Sequence, residues 1–232
     1  FFGVRRLSEL CKALNITIPV GKDSLSMKTS WKTGKKDYEV ESPVSLVLSA
    51  FSKINDTRDI ITPDLQGNGE IYLIDLGNGN QRLGGSAFEQ VKSSISSDTP
   101  KIDDINLIKR FFKLSQTLIN RKIISAYHDK SDGGLFTTLT EMAFSGNKSL
   151  NIDKILSYID TDEKLNKFFF NEELGVVVEV PKKKKAMFER LCSKYIVKSS
   201  LIHLGISLSR KNQTIDIKSY YPISFPLSDL RR

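Results

Sequence analysis

Tyr127-His128-Asp129-Lys130-Ser131-Asp132-Gly133-Gly134 gathers acids, a hydroxyl and paired glycines directly ahead of a helix-like apolar run from Leu135 to Phe144. An aspartate offers Mg²⁺ a hard oxygen, and a serine hydroxyl can meet a phosphate or a ribose. Paired glycines let backbone amides approach an anion at a helix start. Together these are the elements of a nucleotide site. The plainer reading is a helix N-terminus capped by Ser131 or Asp132, with the glycines supplying the turn. On this motif alone both readings stand.

A second cluster lies at Gly21-Lys22-Asp23-Ser24-Leu25-Ser26-Met27-Lys28-Thr29, after the short β-branched run Ile16 to Val20. Asp23 is a candidate hard ligand, and Lys22 and Lys28 are candidate anion partners. For each of these three a surface ion pair is an equal alternative. His128 has the chemistry of a proton carrier and is read as a hydrogen-bonded structural residue. Glu172 and Glu173 are either metal ligands or a solvated acidic pair, with the solvated pair preferred. The loop Gly77-Asn78-Gly79-Asn80 and the turn Gly84-Gly85-Ser86 follow a strand, as phosphate cradles do. Arg82 stands where the dinucleotide fingerprint needs its third glycine, so a plain turn is the first expectation there and a phosphate contact the second.

The elements that must hold these groups follow from periodicity. Val4, Leu7, Leu10, Cys11 and Leu14 predict a helix ending at Asn15. Ile16 to Val20 reads as a short strand, and Val44 to Ile54, between Pro43 and Asn55, as a long buried one. Met27 to Trp31 is expected to pair with Tyr38 to Val40 around Thr33-Gly34-Lys35-Lys36. The turn-rich segment from Thr62 to Gly69 is the expected domain boundary. Beyond it, strands are predicted at Ile71 to Leu76, Ile123 to Tyr127, Val176 to Val180, 201 to 207 and 214 to 218. Helices are predicted from about Ala87, on a face of Ile105, Ile108, Phe112, Ser115 and Ile119, on Leu135, Leu139, Met142 and Ala143 up to Gly146, and over 182 to 194. This is an α+β pattern.

The 232 residues, 39 % hydrophobic and 27 % charged, suffice for one large domain or two small ones. No apolar run reaches the roughly 18 residues of a membrane span, and no signal-peptide layout opens the chain. No membrane partner is expected. The net charge of +8 comes mostly from scattered lysines, and the run Lys182 to Lys185 reads as a solvated turn. Without zinc spacing or aromatic-stacking motifs, nucleic acid is not an expected partner. Cys11 and Cys192 lack CxxC spacing and sit in apolar helical patterns, which predicts buried reduced thiols and a cytoplasmic protein. With only His128 and His203 as histidines, a Cys/His glutaminase site has no basis here.

Four stretches, Ile18 to Thr29, Ala126 to Leu135, Glu141-Met142-Ala143-Phe144 and Phe170-Asn171-Glu172-Glu173-Leu174-Gly175, occur in an order and spacing that resemble the large form of phosphoribosylformylglycinamidine synthase, a glutamine amidotransferase of the purine pathway. The resemblance implies an aminoimidazole ribonucleotide synthetase-like fold, with 1–62 as the tail of an N-terminal domain and 69–232 as a C-terminal α/β layered domain. Without an initiator Met, the chain reads as a segment of the second synthase half. By the same resemblance Asp129 binds Mg²⁺ and Ser131 a nucleotide, at a site that is auxiliary in the family. Gly21 meets ATP and Ser24 the formylglycinamide ribonucleotide. Two departures are Lys130, where Arg is common, and Lys22, where small-form enzymes place a metal-binding Asn. The implied cofactors are ATP/ADP and Mg²⁺. The implied partners are the substrate and the remaining first synthase half and glutaminase domain. The competing readings are another enzyme of the same superfamily and a noncatalytic nucleotide-binding module.

Overall fold

Two valine-rich and isoleucine-rich strands fix the centre of the fold, because each buries both of its faces. In β3 (Gly69–Asp75), Ile71 and Leu73 point to one side of the sheet while Tyr72 and Ile74 point to the other. In β6 (Gly175–Pro181) Val177 points to the first side, and Val176, Val178 and Val180 to the second. Such strands need neighbours along both edges and helices on both faces.

They acquire them in a seven-stranded sheet. The remaining strands are β4 (Ala126–Lys130), β5 (Ser149–Ile152), β7 (Leu201–Leu208), β8 (Thr214–Ile217) and β9 (Ile223–Pro226), in the order β4-β6-β3-β7-β5-β8-β9. Among the described residues only the β5–β8 pairing of this sheet is parallel. One face is covered by α4 (Gly134–Gly146), α5 (Asp162–Phe170) and the short α7 (Leu227–Leu230), through Leu135, Leu139, Met142, Phe168, Phe169 and Leu227. The other is covered by α3 (Ile105–Asn120) and α6 (Lys185–Tyr195), through Leu107, Leu114, Leu118, Phe188, Leu191 and Cys192. A five-residue α2 (Ala87–Val91) follows the glycine turn.

The computed structural model describes residues 1–24, 27–42, 45–54, 56–155, 159–219 and 222–231. Leu25 and Ser26 of the second motif lie outside the described residues, as do Pro43, Val44 and Asn55 at the ends of the expected long strand. The chain divides into two compact units, Phe1–Asn55 and Asp56–Arg232. Residues ahead of β3 join the second unit's core: Leu65 is buried in one cluster and Ile61 rests on the other.

The first unit contains α1 (Phe2–Leu14), closed by Asn15 in the left-handed conformation, and a hairpin of β1 (Lys28–Thr33) and β2 (Lys36–Glu41). The hairpin pairs Trp31 with Tyr38 and turns through Gly34 at φ 64°. Two expected strands are not formed among its described residues: neither 16–20 nor 45–54 is β-strand. Val47 and Phe51 are more than nine-tenths exposed. A β-branched run becomes a strand only where a neighbour takes up its N–H and C=O groups.

The second unit corrects three local expectations. β4 begins at Ala126 rather than Ile123, because its ladder runs from Ala126 opposite Glu179 to Lys130 opposite Gly175. The nucleotide-type motif is therefore part of the strand and does not merely follow it. On α3 the buried residues are Leu107, Leu114, Ser115 and Leu118, and Phe112 is 63 % exposed. The apolar side is rotated from the expected one because Leu107 and Leu114 compete with Ile105 and Phe112 for the sheet. β5, α5, β9 and α7 have no counterpart among the expected elements. Of the two thiols, Cys192 is buried and Cys11 half-buried. No helix among the described residues is long and apolar enough to cross a membrane.

Candidate functional site

β4 delivers Tyr127, His128, Asp129 and Lys130 to the point where the chain turns into α4. The turn uses Gly133 at φ 79° and Gly134 at φ 67°. A Cβ on Gly134 would lie 2.7 Å from the carbonyl oxygens of Asn171 and Phe169, so glycine is required there by both backbone angle and space. Gly133 is the N-cap of α4, and no side chain of the motif caps it. Neither Ser131 nor Asp132 therefore fills the capping role of the plainer sequence reading.

The amide of Gly133 itself is held by Glu172, 39 positions further on. Its Oε1 accepts from the Gly133 amide at 2.8 Å and from the Ala87 amide, at the start of α2, at 2.9 Å. Glu172 and Glu173 are thus not a solvated pair. Glu173 is fully buried and receives the Arg82 guanidinium, whose NH2 group also donates to Asp103 at 2.8 Å. Arg82 is held strongly protonated by the hydrogen bond to Glu173, reinforced by Asp103. The Gly77–Arg82 loop is tied down from within: Asp75 accepts from Gly77 at 3.1 Å and from Gly79 at 2.9 Å. In this arrangement Arg82 is a structural counterion.

A cleft of about 580 Å³ opens at this end of the sheet. Leu76, Ile108, Phe111, Leu174 and Val176 form its apolar wall, and Asp129, Ser131, Asp132 and Glu172 its polar edge. The size and the mixed lining suit a small ligand with a planar or apolar body and a polar end. Asp129 is 70 % exposed, with Oδ1 3.3 Å from His128 Nδ1, and His128 Nε2 lies 2.8 Å from Glu141 Oε2. His128 is thereby hydrogen-bonded between β4 and α4. Lys130 is buried and donates to Asn171 Oδ1 at 2.6 Å. Burial pushes its ammonium down to about 8, against the pull of Asp75 and Glu173. Tyr127, on the same wall, is pushed up to about 12 by burial and then by the Asp129 charge.

The sites expected from the sequence divide between the units. Asp129 and Ser131 share the cleft of the second unit. Gly21, Lys22, Asp23, Ser24 and Lys28 belong to the first unit, where all five are exposed. Nothing lies within 4 Å of the Cβ position of Gly21. Lys22 donates to the Asp23 carbonyl at 3.1 Å and to the Ser24 hydroxyl. Lys28 pairs with Glu39 across the hairpin at 2.6 Å, the surface ion pair that was its alternative reading. What the sequence reading of Glu172 and Glu173 missed is their role. Their side-chain partners lie between 39 and 91 positions away, and no local spacing announces them.

Among the described residues no group of three or more His, Cys, Asp or Glu side chains could cage a metal ion. The cleft instead offers exposed oxygen donors at Asp129, Asp132 and Ser131. This donor set fits Mg²⁺ arriving with phosphate oxygens, since that ion commonly uses one or two carboxylates and keeps its remaining ligands from water and substrate.

A mixed sheet with helices on both faces and a cleft where β4 passes into α4 defines an α+β protein of the aminoimidazole ribonucleotide synthetase-like class. Residues 71–211, more than half of the chain, match the family described as AIR synthase related protein, C-terminal domain. The chain belongs to that family. Residues 1–53 match the FGAR-AT PurM_N-like domain. Among solved structures, Thermotoga maritima PurL complexed with ATP is similar at 10 % identity and a TM-score of 0.53, over 74 % of this chain and 27 % of that one. The same organism's PurL complexed with FGAR is similar at 12 % identity and a TM-score of 0.51, over 75 % and 30 %. The hydrogenase maturation protein HypE is similar at 13 % identity and a TM-score of 0.50, over 72 % and 55 %. At these identities the likeness is one of fold. The chain spans less than a third of the length of the PurL structures.

Proposed function

We propose that this chain is part of a large-form phosphoribosylformylglycinamidine synthase, the ATP-dependent carbon–nitrogen ligase that converts formylglycinamide ribonucleotide with glutamine as amido donor. The observation that carries the reading is the succession, in one chain, of an FGAR-AT PurM_N-like match at 1–53 and an AIR synthase C-terminal match at 71–211. The solved PurL structures of similar fold include complexes with ATP and with FGAR. In this reading residues 1–62 are the tail of the N-terminal domain and 69–232 the C-terminal domain. The missing first synthase half and glutaminase would lie in the same polypeptide, and the enzyme would be cytoplasmic.

The second unit then supplies a nucleotide site. Asp129 holds Mg²⁺ through its exposed carboxylate, and Ser131 donates to a phosphate or ribose oxygen. When bound, the metal would neutralise phosphate charge. The apolar wall formed by Ile108, Phe111, Leu174 and Val176 takes the flat base and excludes water from it. In the first unit Gly21, with open space at its Cα, lets a nucleotide approach the backbone, and Ser24 meets the substrate. Lys22 brings positive charge beside Ser24, and Asp23 and Lys28 are secondary contacts. Phosphoryl transfer depends on positioning and charge neutralisation, which such groups provide without a protein nucleophile.

Titration of Mg²⁺-ADP into the folded chain tests the site. Binding is expected, and Asp129→Ala is expected to abolish its dependence on Mg²⁺. An unchanged isotherm in that variant would show that Asp129 does not hold the metal. The segment by itself is expected to have no synthase activity, so turnover of ATP, ammonia and substrate by this chain alone would contradict the reading. The fold likeness to HypE supports a second assignment, to another enzyme of the superfamily. Failure of the full-length protein to form formylglycinamidine ribonucleotide while still binding Mg²⁺-ATP would favour it.

A further inference from the structure

Glu172 is placed unlike any other carboxylate of the cleft. One of its oxygens, Oε1, serves two chain segments at once, the Gly133 amide at the start of α4 and the Ala87 amide in the turn that ends the glycine-rich loop. Around that oxygen, Ser86 is fully buried and caps α2 by accepting from Glu89, and Gly134 donates to Ser131 at 2.9 Å. Asn171, immediately before it, is buried and fixed by its own bonds to Lys130, Lys167 and Phe168, so the backbone that carries Glu172 is anchored.

From this geometry we infer that Glu172 is a positioning residue: its carboxylate joins the Ser131-Asp132-Gly133 loop to the Ser86-Ala87 turn and so fixes Ser131 at the edge of the cleft. The inference rests on the nucleotide reading above for the ligand that Ser131 meets. It has two consequences of its own. The Gly133 amide, expected from the sequence to face a ligand anion, is already satisfied by the protein. The Gly77–Ser86 loop, which the proposed function leaves without a role, acts as the fixed end of the tether.

Three variants and one small anion test this. In Glu172→Gln the side-chain carbonyl oxygen can accept both amide hydrogens, so Mg²⁺-ADP affinity is expected to stay close to that of the unchanged chain. Glu172→Ala leaves both amides without an acceptor and is expected to weaken Mg²⁺-ADP by about tenfold, given the usual strength of hydrogen bonds to a charged group. Sodium formate, which returns a carboxylate to the vacated position, should raise the melting temperature of Glu172→Ala and recover its affinity. It should do neither for the unchanged chain or for Glu172→Gln. Gly134→Ala is the control, because it destabilises the same turn against the Asn171 and Phe169 carbonyls without vacating a carboxylate position, and it should not respond to formate. The thermal readout does not depend on nucleotide. Rescue of stability without any nucleotide binding would uphold the tether and reject the nucleotide reading. The absence of a selective formate effect on Glu172→Ala, or an unaltered Kd in that variant, would overturn the inference.

Discussion

Arg82 is 7 % exposed and Glu173 is fully buried against it, so each is costly without the other. Removing one partner of a buried pair strands the remaining charge, and Asp103 at the edge can offset only part of that. Glu173→Gln is expected to lower stability by about 3 kcal/mol, read as a shift in the urea midpoint at constant slope. A midpoint unchanged within error would show that the pair is dispensable. Lys130 gives a pH signature. Unfolded, its amine titrates near the ordinary 10.5, and burial brings it to about 8 in the folded chain. Between those values the unfolded chain holds more protons, so stability rises with pH across that window and the charged form costs stability below it. Lys130→Met should remove this rise, and stability profiles of the two proteins that stay parallel from pH 7 to 11 would contradict the assignment. Cys192, whose thiol burial pushes up to about 12, should resist alkylation in the folded protein while half-buried Cys11 reacts.

At the scale of elements, the strand-to-helix passage at the site depends on glycine geometry. Gly134→Ala would place a methyl group against the Asn171 and Phe169 carbonyls in a left-handed backbone. The expected cost is about 3 kcal/mol or more, because neither neighbour is a flexible side-chain end. A circular dichroism melt within a degree of the unchanged chain would contradict this. The same passage shows what the sequence makes legible. The period of Leu135, Leu139 and Met142 and the final Gly146-Asn147 locate α4, and the short β-branched run from Val176 to Val180 locates β6, because local pattern and burial agree there. The hydrogen-bonded state of His128 was legible too. The state of 45–54 was not: a long strand was expected over Val44 to Ile54, and a strand needs ladder partners that no local pattern supplies. Nor were the roles of Glu172 and Glu173, whose partners lie on other loops, so their charge alone suggested solvent.

The chain divides into two units that differ in how much they bury. No described residue of the first is fully buried, whereas the second closes two apolar clusters around one sheet. Local opening is cheap where few apolar contacts must be broken, so limited proteolysis is expected to cut first within 1–55 and to leave a resistant product covering most of 56–231. Even digestion of both units would contradict that division. The proposed nucleotide site is the cleft of the second unit, where β4 and α4 bring Asp129 and Ser131 together beside an apolar wall. The most direct measurement is a crystal structure of the chain grown with Mg²⁺-ADP. Nucleotide density is expected in this cleft, with the metal on Asp129 and Ser131 within hydrogen-bond distance of a phosphate or ribose oxygen. Nucleotide bound elsewhere on the second unit with this cleft empty would contradict it.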